Sequence, residues 1–358
     1  MIAGDAIDNI RVNGYDIIAE IGHGSNGDVY YAIQSSLRRP VALKILTDHL
    51  ASDPSYVKQF FHEAQAAAQL SHPNIVRAYD AGYAESEHFF FSMELIEGED
   101  LQSILKDHGQ LEWRESLEYL KYVAAALDYG MKKCRLTHGD IKPANIMVTH
   151  RDEVKLADLG LACLGGETKS EDIMLTPHYA APEVIRGTWQ IGDCRADIYS
   201  FGATLYHLVT GRPVFEGDDS REIIKKQLKS SVINAGVYVS LPQGVCDFIS
   251  KLLGKSADER FQNWQQVIEE IDRLLSINGS SYCSKVRTRK KYQLDKERRK
   301  RAMERLKKRK KNKVMSYYFG GLAAVITFVL ISDFVIAMIG GGGAWQIIEM
   351  FVKNIAGI

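Results

Sequence analysis

The stretch THGDIKPANIMVTHRDEVKLADLGLA, residues 137–162, decides how this chain is read. It carries Asp140, Lys142, Asn145 and Asp158 among the apolar residues Ile141, Pro143, Ile146, Met147 and Val148. Asp140 suits the orientation of an incoming hydroxyl and the acceptance of its proton. Lys142 can neutralise a phosphoryl group in transit. Asn145 and Asp158 offer oxygen ligands of the kind that Mg2+ prefers. Ordinary turn and cap chemistry is the plain alternative for such a set, and the surrounding chain decides between the two.

Upstream, the segments YDIIAEI, DVYYAIQ and PVALKIL read as β-strands, and GHGSNG lies in the turn between the first two. Gly22, Gly24 and Gly27 let backbone lie over phosphates without Cβ interference. Val29 follows as an apolar side chain for a base. By itself this G-x-G-x-x-G is weak, since a glycine-rich hairpin turn explains it equally well. A dinucleotide-binding fold would need a helix after the loop, whereas DVYYAIQ reads as strand. Lys44 sits among Ala42, Leu43, Ile45 and Leu46, where an unpaired ammonium is costly to bury. Taken alone it would be read as a strand-end surface lysine, but Glu63 supplies a partner on the helix expected over 55–70. Two further strands fit IVRAYDAGY and HFFFSMELI, and after Gly98 the chain turns mainly helical, with a last helix over WQQVIEEIDRLLS. A small sheet-rich lobe followed by a larger helical lobe is the expected layout.

Composition agrees with a folded enzyme-sized body. The 46% hydrophobic content excludes a disordered or collagen-like chain. The formal net charge of zero hides an asymmetry: residues 285–313 hold 17 Lys/Arg against 3 Asp/Glu, whereas residues 1–284 hold 27 against 40. The cysteines Cys134, Cys163, Cys194, Cys246 and Cys283 are widely spaced with no C-x-x-C pair. That argues against a zinc site or a disulfide framework and suits a reducing compartment. MIAGDAIDNI has neither the basic n-region nor the apolar stretch of a signal peptide, so the globular part is expected to stay where it is made.

Taken together and in order, these motifs make residues 15–275 resemble a eukaryotic-type Ser/Thr protein kinase of the kind also found in bacteria. The glycine loop stands as G-H-G-S-N-G-D-V, the β3 lysine motif as V-A-L-K, and the αC glutamate as Glu63. The catalytic loop stands as H-G-D-I-K-P-A-N, the metal motif as D-L-G, and the P+1 segment as T-P-H-Y-A-A-P-E. D-I-Y-S-F-G resembles the helix start that braces the catalytic loop through Asp197, and Arg260 stands where an arginine pairs with the A-P-E glutamate, here Glu183. The resemblance implies an α+β, two-lobed kinase fold with an antiparallel-sheet N-lobe and a helical C-lobe. It implies ATP as cosubstrate, Mg2+ (with Mn2+ the alternative ion) as metal, and protein serine or threonine hydroxyls as acceptors.

Residue by residue, the resemblance gives Asp140, Lys142 and Asn145 the catalytic roles, and Asn145 with Asp158 the metal. Nucleotide contacts fall to Ile21, Gly22, His23, Gly24, Ser25, Asn26, Gly27, Asp28 and Val29 of the loop. Ala42, Lys44 and Glu63 join them, with the backbones of Glu94 and Ile96 at the adenine edge behind Met93. Asp100 is a candidate for the ribose or a substrate side chain. Lys142, two residues after the catalytic aspartate, and Thr176 ahead of Pro177 favour serine/threonine over tyrosine, with Thr176 bracing Asp140 and Lys142. Two departures stand out. Gly139 replaces the family's arginine, so a phosphate on Thr168 or Ser170 would lack its principal ion-pair partner, and activation is expected not to depend on it. Leu159 replaces phenylalanine but keeps an apolar packing residue. A catalytically dead scaffold that only binds nucleotide or partners is the alternative from another class, disfavoured because the reactive set is intact.

Residues 276–313 read as a basic linker and 317–339, YYFGGLAAVITFVLISDFVIAMI, as a transmembrane helix whose one charge is Asp333. At ~1.5 Å per residue such a helix spans about 34 Å, enough for a bilayer core of ~30 Å. The basic run ends just before it, which marks the cytoplasmic side and offers anionic lipid headgroups a partner. Nucleic acid draws on the same charge but is disfavoured, because Tyr292 is the one aromatic in the run. The expectation is a single-pass cell-membrane protein with residues 1–14 as lead-in, the kinase domain inside and 340–358 outside. Signals would arrive through lipid, homodimerisation, a partner or the cytoplasm.

Overall fold

The computed structural model of the protein describes residues 10–24, 27–84, 88–159 and 176–276. The expected activation-loop positions Thr168 and Ser170, the loop residues Ser25 and Asn26, the basic run and the apolar segment 317–339 lie outside them. Among the described residues no helix is long and apolar enough to cross a membrane.

The N-terminal lobe is a five-stranded antiparallel sheet, β1 (Tyr15–Gly24), β2 (Gly27–Gln34), β3 (Arg39–Ile45), β4 (Ala78–Tyr83) and β5 (Phe89–Glu94), in the order β1-β2-β3-β5-β4. Between β3 and β4 lie the short α1 (Asp48–Ala51) and the longer α2 (Pro54–Ala68). Alternation along β3 sends successive side chains to opposite faces. Val41, Leu43 and Ile45 join one apolar cluster with Tyr30, Ala32 and Phe90. Lys44 therefore faces the other way, toward α2. The helix starts where it does because Asp53 caps it, accepting from the Ser55 amide at 2.8 Å, and Pro54 occupies the first turn. Phe60, Ala64 and Ala67 then form its buried stripe, at i, i+4 and i+7.

The chain enters the C-terminal lobe through β6 (Gly98–Asp100), α3 (Leu101–His108) and α4 (Trp113–Cys134). Next come β7 (Ile146–Thr149) and β8 (Val154–Leu156), which pair with β6 in a three-stranded sheet of order β6-β7-β8. The remaining helices are α5 (Pro182–Ile185), α6 (Arg195–Thr210), α7 (Ser220–Lys229), α8 (Gln243–Leu252) and α9 (Trp264–Ser276). Helix α6 is buried nearly all round and runs through the core, its polar residues Asp197, Ser200, Thr204 and Thr210 included. Phe201 on it meets Trp264 of α9 edge to face at 5.5 Å between ring centres. The three-stranded sheet was not expected from the sequence. Its strands are three or four residues long, too short for an alternation to register. The strand expected from Ile75 also begins later, at Ala78. Ile75 instead makes a lone parallel bridge to Leu156, which ties the two lobes at this point.

Candidate active site

Two buried residues of the N-lobe meet first. Lys44 Nζ donates to Glu63 Oε2 at 2.6 Å and lies 3.7 Å from Asp158 Oδ1. Burial works against charge on Lys44, but the carboxylates of Glu63 and Asp158 outweigh it and hold the ammonium at a pKa of about 12. Glu63 feels the same burial, which lifts its carboxyl to about 7 against the pull of Lys44. The pair joins β3 to α2, and the third member comes from the chain after β8. One cation thus registers three separate segments.

The β1–β2 hairpin adjoins β3, the strand that carries Lys44. Its backbone register sets Gly22 opposite Val29, His23 opposite Asp28 and Gly24 opposite Gly27, while Val29 also faces Lys44 across β2–β3. Gly27 is required by the fold itself: its φ is +129° and a Cβ there would lie 2.4 Å from the Ile45 carbonyl oxygen. At Gly22 the nearest atom to a built Cβ is 3.7 Å away, an ordinary contact, so the fold sets no such demand there. Ile21 is 46% exposed beside it, and Ala42 is buried and paired with Met93 on β5. At the edge of β5 the Glu94 amide donates to the Arg77 carbonyl at 2.9 Å, so an adenine contact from Glu94 would use its carbonyl. The Glu94 carboxylate is bound by Lys155 Nζ at 2.8 and 3.0 Å. Ile96 follows, largely buried. Asp100, the candidate for the ribose or a substrate side chain, caps α3, accepting from the Ser103 amide and hydroxyl at 2.8 and 2.7 Å.

In the C-lobe, the segment before β7 is held by α6. Asp197, buried in the first turn of α6, accepts from the amides of His138 at 2.7 Å and Gly139 at 2.9 Å. Gly139 itself has a φ of +78°, in the left-handed region. The glycine found where the family has arginine thus meets a backbone requirement. Asp140 follows with both carboxylate oxygens engaged. Thr176 Oγ1 donates to Oδ1 at 2.8 Å, while Asn145 Nδ2 reaches Oδ2 at 3.0 Å and the Asp140 carbonyl at 2.8 Å. Lys142 Nζ lies 2.6 Å from Asp140 Oδ2 and donates to Thr176 Oγ1 at 3.1 Å. The carboxylate is therefore fixed from three sides.

The residues fit a divalent metal of the hard kind. Since the Asn145 nitrogen is committed to Asp140, its Oδ1 is the atom left to face a cation, and Asp158 brings a carboxylate held at a φ of +60°. Among the described residues no cluster of three His, Cys, Asp or Glu ligands occurs. Two protein oxygens suit a hard divalent cation, in contrast to the all-protein cages used by structural zinc.

A protein kinase domain model matches residues 15–271. The chain belongs to the protein kinase domain family. Among curated relatives, a probable serine/threonine-protein kinase of Clostridium acetobutylicum is 33% identical over 269 residues, covering 74% of this chain and 40% of the relative. Serine/threonine-protein kinase PrkC of Bacillus subtilis is 33% identical over 266 residues, covering 73% and 40%. Serine/threonine-protein kinase PknF of Mycobacterium tuberculosis is 35% identical over 259 residues, covering 70% and 54%. The chain thus spans about half the length, or less, of these relatives. The crystal structure of the Mycobacterium tuberculosis PknI kinase domain, solved as a point mutant, superposes with a TM-score of 0.60 at 24% identity, over 74% of this chain and 97% of that one. That likeness confirms the two-lobed kinase fold.

Within the kinase domain, Arg260 and Glu183 form a buried two-pronged ion pair at 2.6 and 2.9 Å, at the residues singled out for it from the sequence. Other residues that serve the site were not singled out. Gln227, Ser200 and His207 hold the segment after Thr176, and each looked like one more polar residue on a helix. The signal for Gln227 was its spacing: it continues the buried stripe of Ile223 on α7, where an amide needs partners.

Proposed function

We propose that this chain transfers the γ-phosphoryl group of ATP to serine and threonine hydroxyls of proteins. The observation that carries the reading is the fixed Asp140 carboxylate, with Thr176, Lys142 and Asn145 around it, set in one domain with the formed Lys44–Glu63 pair. Phosphoryl transfer is mostly positioning and charge stabilisation, and these residues supply both. Lys44, held by Glu63, binds the α- and β-phosphates. Asp140 orients the acceptor hydroxyl and takes its proton as the acceptor oxygen bonds to the γ-phosphorus and the bond to the ADP oxygen breaks. Lys142 balances the charge moving across that gap. Asn145 and Asp158 would hold Mg2+, which neutralises phosphate oxygens when bound. Thr176, bound to both Asp140 and Lys142, supports a short aliphatic hydroxyl as acceptor over a tyrosine.

The test is incubation of the full-length chain with γ-labelled ATP, Mg2+ and a generic basic protein. Phosphoserine and phosphothreonine should accumulate with the wild type and vanish with Asp140→Asn, while nucleotide binding survives. Binding without label transfer by the wild type would leave a scaffold that grips nucleotide without chemistry.

The proposal extends to a membrane anchor at 317–339, with the kinase domain on the cytoplasmic side. Its support is the length and apolarity of that run and the net charge of +14 over 285–313 immediately before it. Alkaline carbonate should leave the full chain in the membrane fraction and release a variant lacking 317–339; release of both would reject the anchor.

A further inference from the structure

The chain that follows Thr176 is held through its backbone. Three successive carbonyls are each bound by a buried side chain. The Gln227 Nε2 amide donates to the Pro177 carbonyl at 3.1 Å and to the His178 carbonyl at 2.9 Å. Ser200 Oγ, on α6, donates to the Tyr179 carbonyl at 2.8 Å. Gln227 is fully buried, and its own oxygen accepts from the Tyr199 hydroxyl at 2.5 Å, also from α6. Both hydrogens and the oxygen of the amide are thereby used, and the amide's orientation is decided by its partners. The last turn of α7 is fixed in turn, since Lys255 Nζ donates to the Gln227 carbonyl at 2.7 Å.

This segment lies where an acceptor polypeptide must pass. Thr176 touches Asp140 and Lys142, so the next three residues flank the place where the acceptor hydroxyl is aligned. Among the described residues this amide donates to the backbone of this segment and is oriented by Tyr199, with no group of the nucleotide side in contact, so it bears on the acceptor and not on ATP. We infer that Gln227 is a positioning residue for the acceptor substrate, coupling helix α7 through the carbonyls of Pro177 and His178 to the seat of the acceptor hydroxyl. The inference rests on the kinase reading and deepens it by naming the side chain that sets the backbone beside the acceptor hydroxyl.

The chemistry of the amide makes the claim separable from simple packing. Methionine at 227 keeps the volume and removes the side chain's three hydrogen bonds, leaving the backbone carbonyl to Lys255. Histidine keeps one donor and one acceptor at nearly the same spacing as the amide, so it should restore part of the effect. Tyr199→Phe leaves the core filled and removes the hydroxyl that orients the amide. These variants of the full-length chain are compared with wild type for phosphorylation of a basic protein, for KM of ATP, for hydrolysis of ATP with water as acceptor, and for melting temperature with and without ADP.

Gln227→Met is expected to lower kcat/KM for the protein acceptor by about 10- to 100-fold, the scale of a small misplacement of reacting groups. KM for ATP and hydrolysis of ATP should stay within about twofold, since the Lys44 side is untouched. Tyr199→Phe should shift the acceptor constants the same way by a smaller factor, and Gln227→His should recover toward wild type. If Gln227→Met and Tyr199→Phe melt like wild type and phosphorylate the acceptor unchanged, the inference is overturned. It is equally overturned if ATP affinity and hydrolysis fall in step with acceptor turnover, because the amide then only supports the fold. A wild-type chain that labels no acceptor sinks the kinase reading and this inference together, and is told apart by failing before any variant is made.

Discussion

Lys44 and Glu63 make the consequences of burial testable one side chain at a time. Lys44→Met should abolish phosphoryl transfer and leave Glu63 buried without its cation, a loss that costs about 3–5 kcal/mol when a charge stays uncompensated. Glu63 can escape part of that by binding a proton, since burial already lifts its carboxyl from the usual 4.5 to about 7. The folded-state value lies above the unfolded one, so the penalty in the variant is absent below about pH 4.5 and grows as the pH rises through the folded value. Denaturation of Lys44→Met and wild type at pH 5.5 and pH 8 should show the larger gap at pH 8. Gly139 offers a second single-residue test. Its φ of +78° is a conformation that costs a residue with a Cβ about 1–2 kcal/mol. Gly139→Arg, which rebuilds the family's usual motif, should therefore lower stability by that amount, read as a drop in melting temperature.

Among elements, the segment after Thr176 and helix α6 carry a pH-sensitive link. The Tyr179 hydroxyl lies 2.7 Å from His207 Nδ1, and the rings stack at 6.1 Å. Burial, with a smaller push from His178, lowers the His207 imidazole to about 4. Neutral, its Nδ1 can accept from Tyr179; protonated, it cannot. A folded-state value below the unfolded 6.5 means the contribution is present above about pH 6.5 and is lost as the pH falls toward 4. Its partial exposure limits the size to on the order of 1 kcal/mol. His207→Gln, which keeps an acceptor and cannot titrate, should flatten the fall in melting temperature between pH 6.5 and 4.5. The residues before Thr176 are expected to behave differently. Because Gly139 offers no guanidinium, Thr168→Ala combined with Ser170→Ala should leave kinase activity near wild type, and a collapse of activity would show another cation doing that work.

For the molecule as a whole, Arg260 clamps distant parts of the C-lobe, reaching Glu183 and the carbonyls of Arg195 and Gly254 from a fully buried side chain. Arg260→Met should destabilise the chain by about 3–5 kcal/mol and lower the chemical-denaturation midpoint, with Glu183 left uncompensated. Much of this architecture was legible in the residues. The alternation of β3, the capped α2 and the amphipathic α9 are local signals, and motif order placed Lys44, Asp140, Asn145 and Asp158 in one chemistry. The short strands β6, β7 and β8 were not legible, being too brief for an alternation and, for β6, paired to a strand far along the chain; the cap of Asp100, by contrast, closes on Ser103 three residues on and is a local signal. By itself, the sequence determined which side chains handle phosphate and which run of the chain is apolar enough for a bilayer, since side-chain chemistry and periodicity are properties of nearby residues. Tertiary structure decided that Gly139 must bend backwards, that Gln227 binds three partners at once and that His207 is held neutral. Burial and hydrogen-bond partnership exist only once remote segments have packed together.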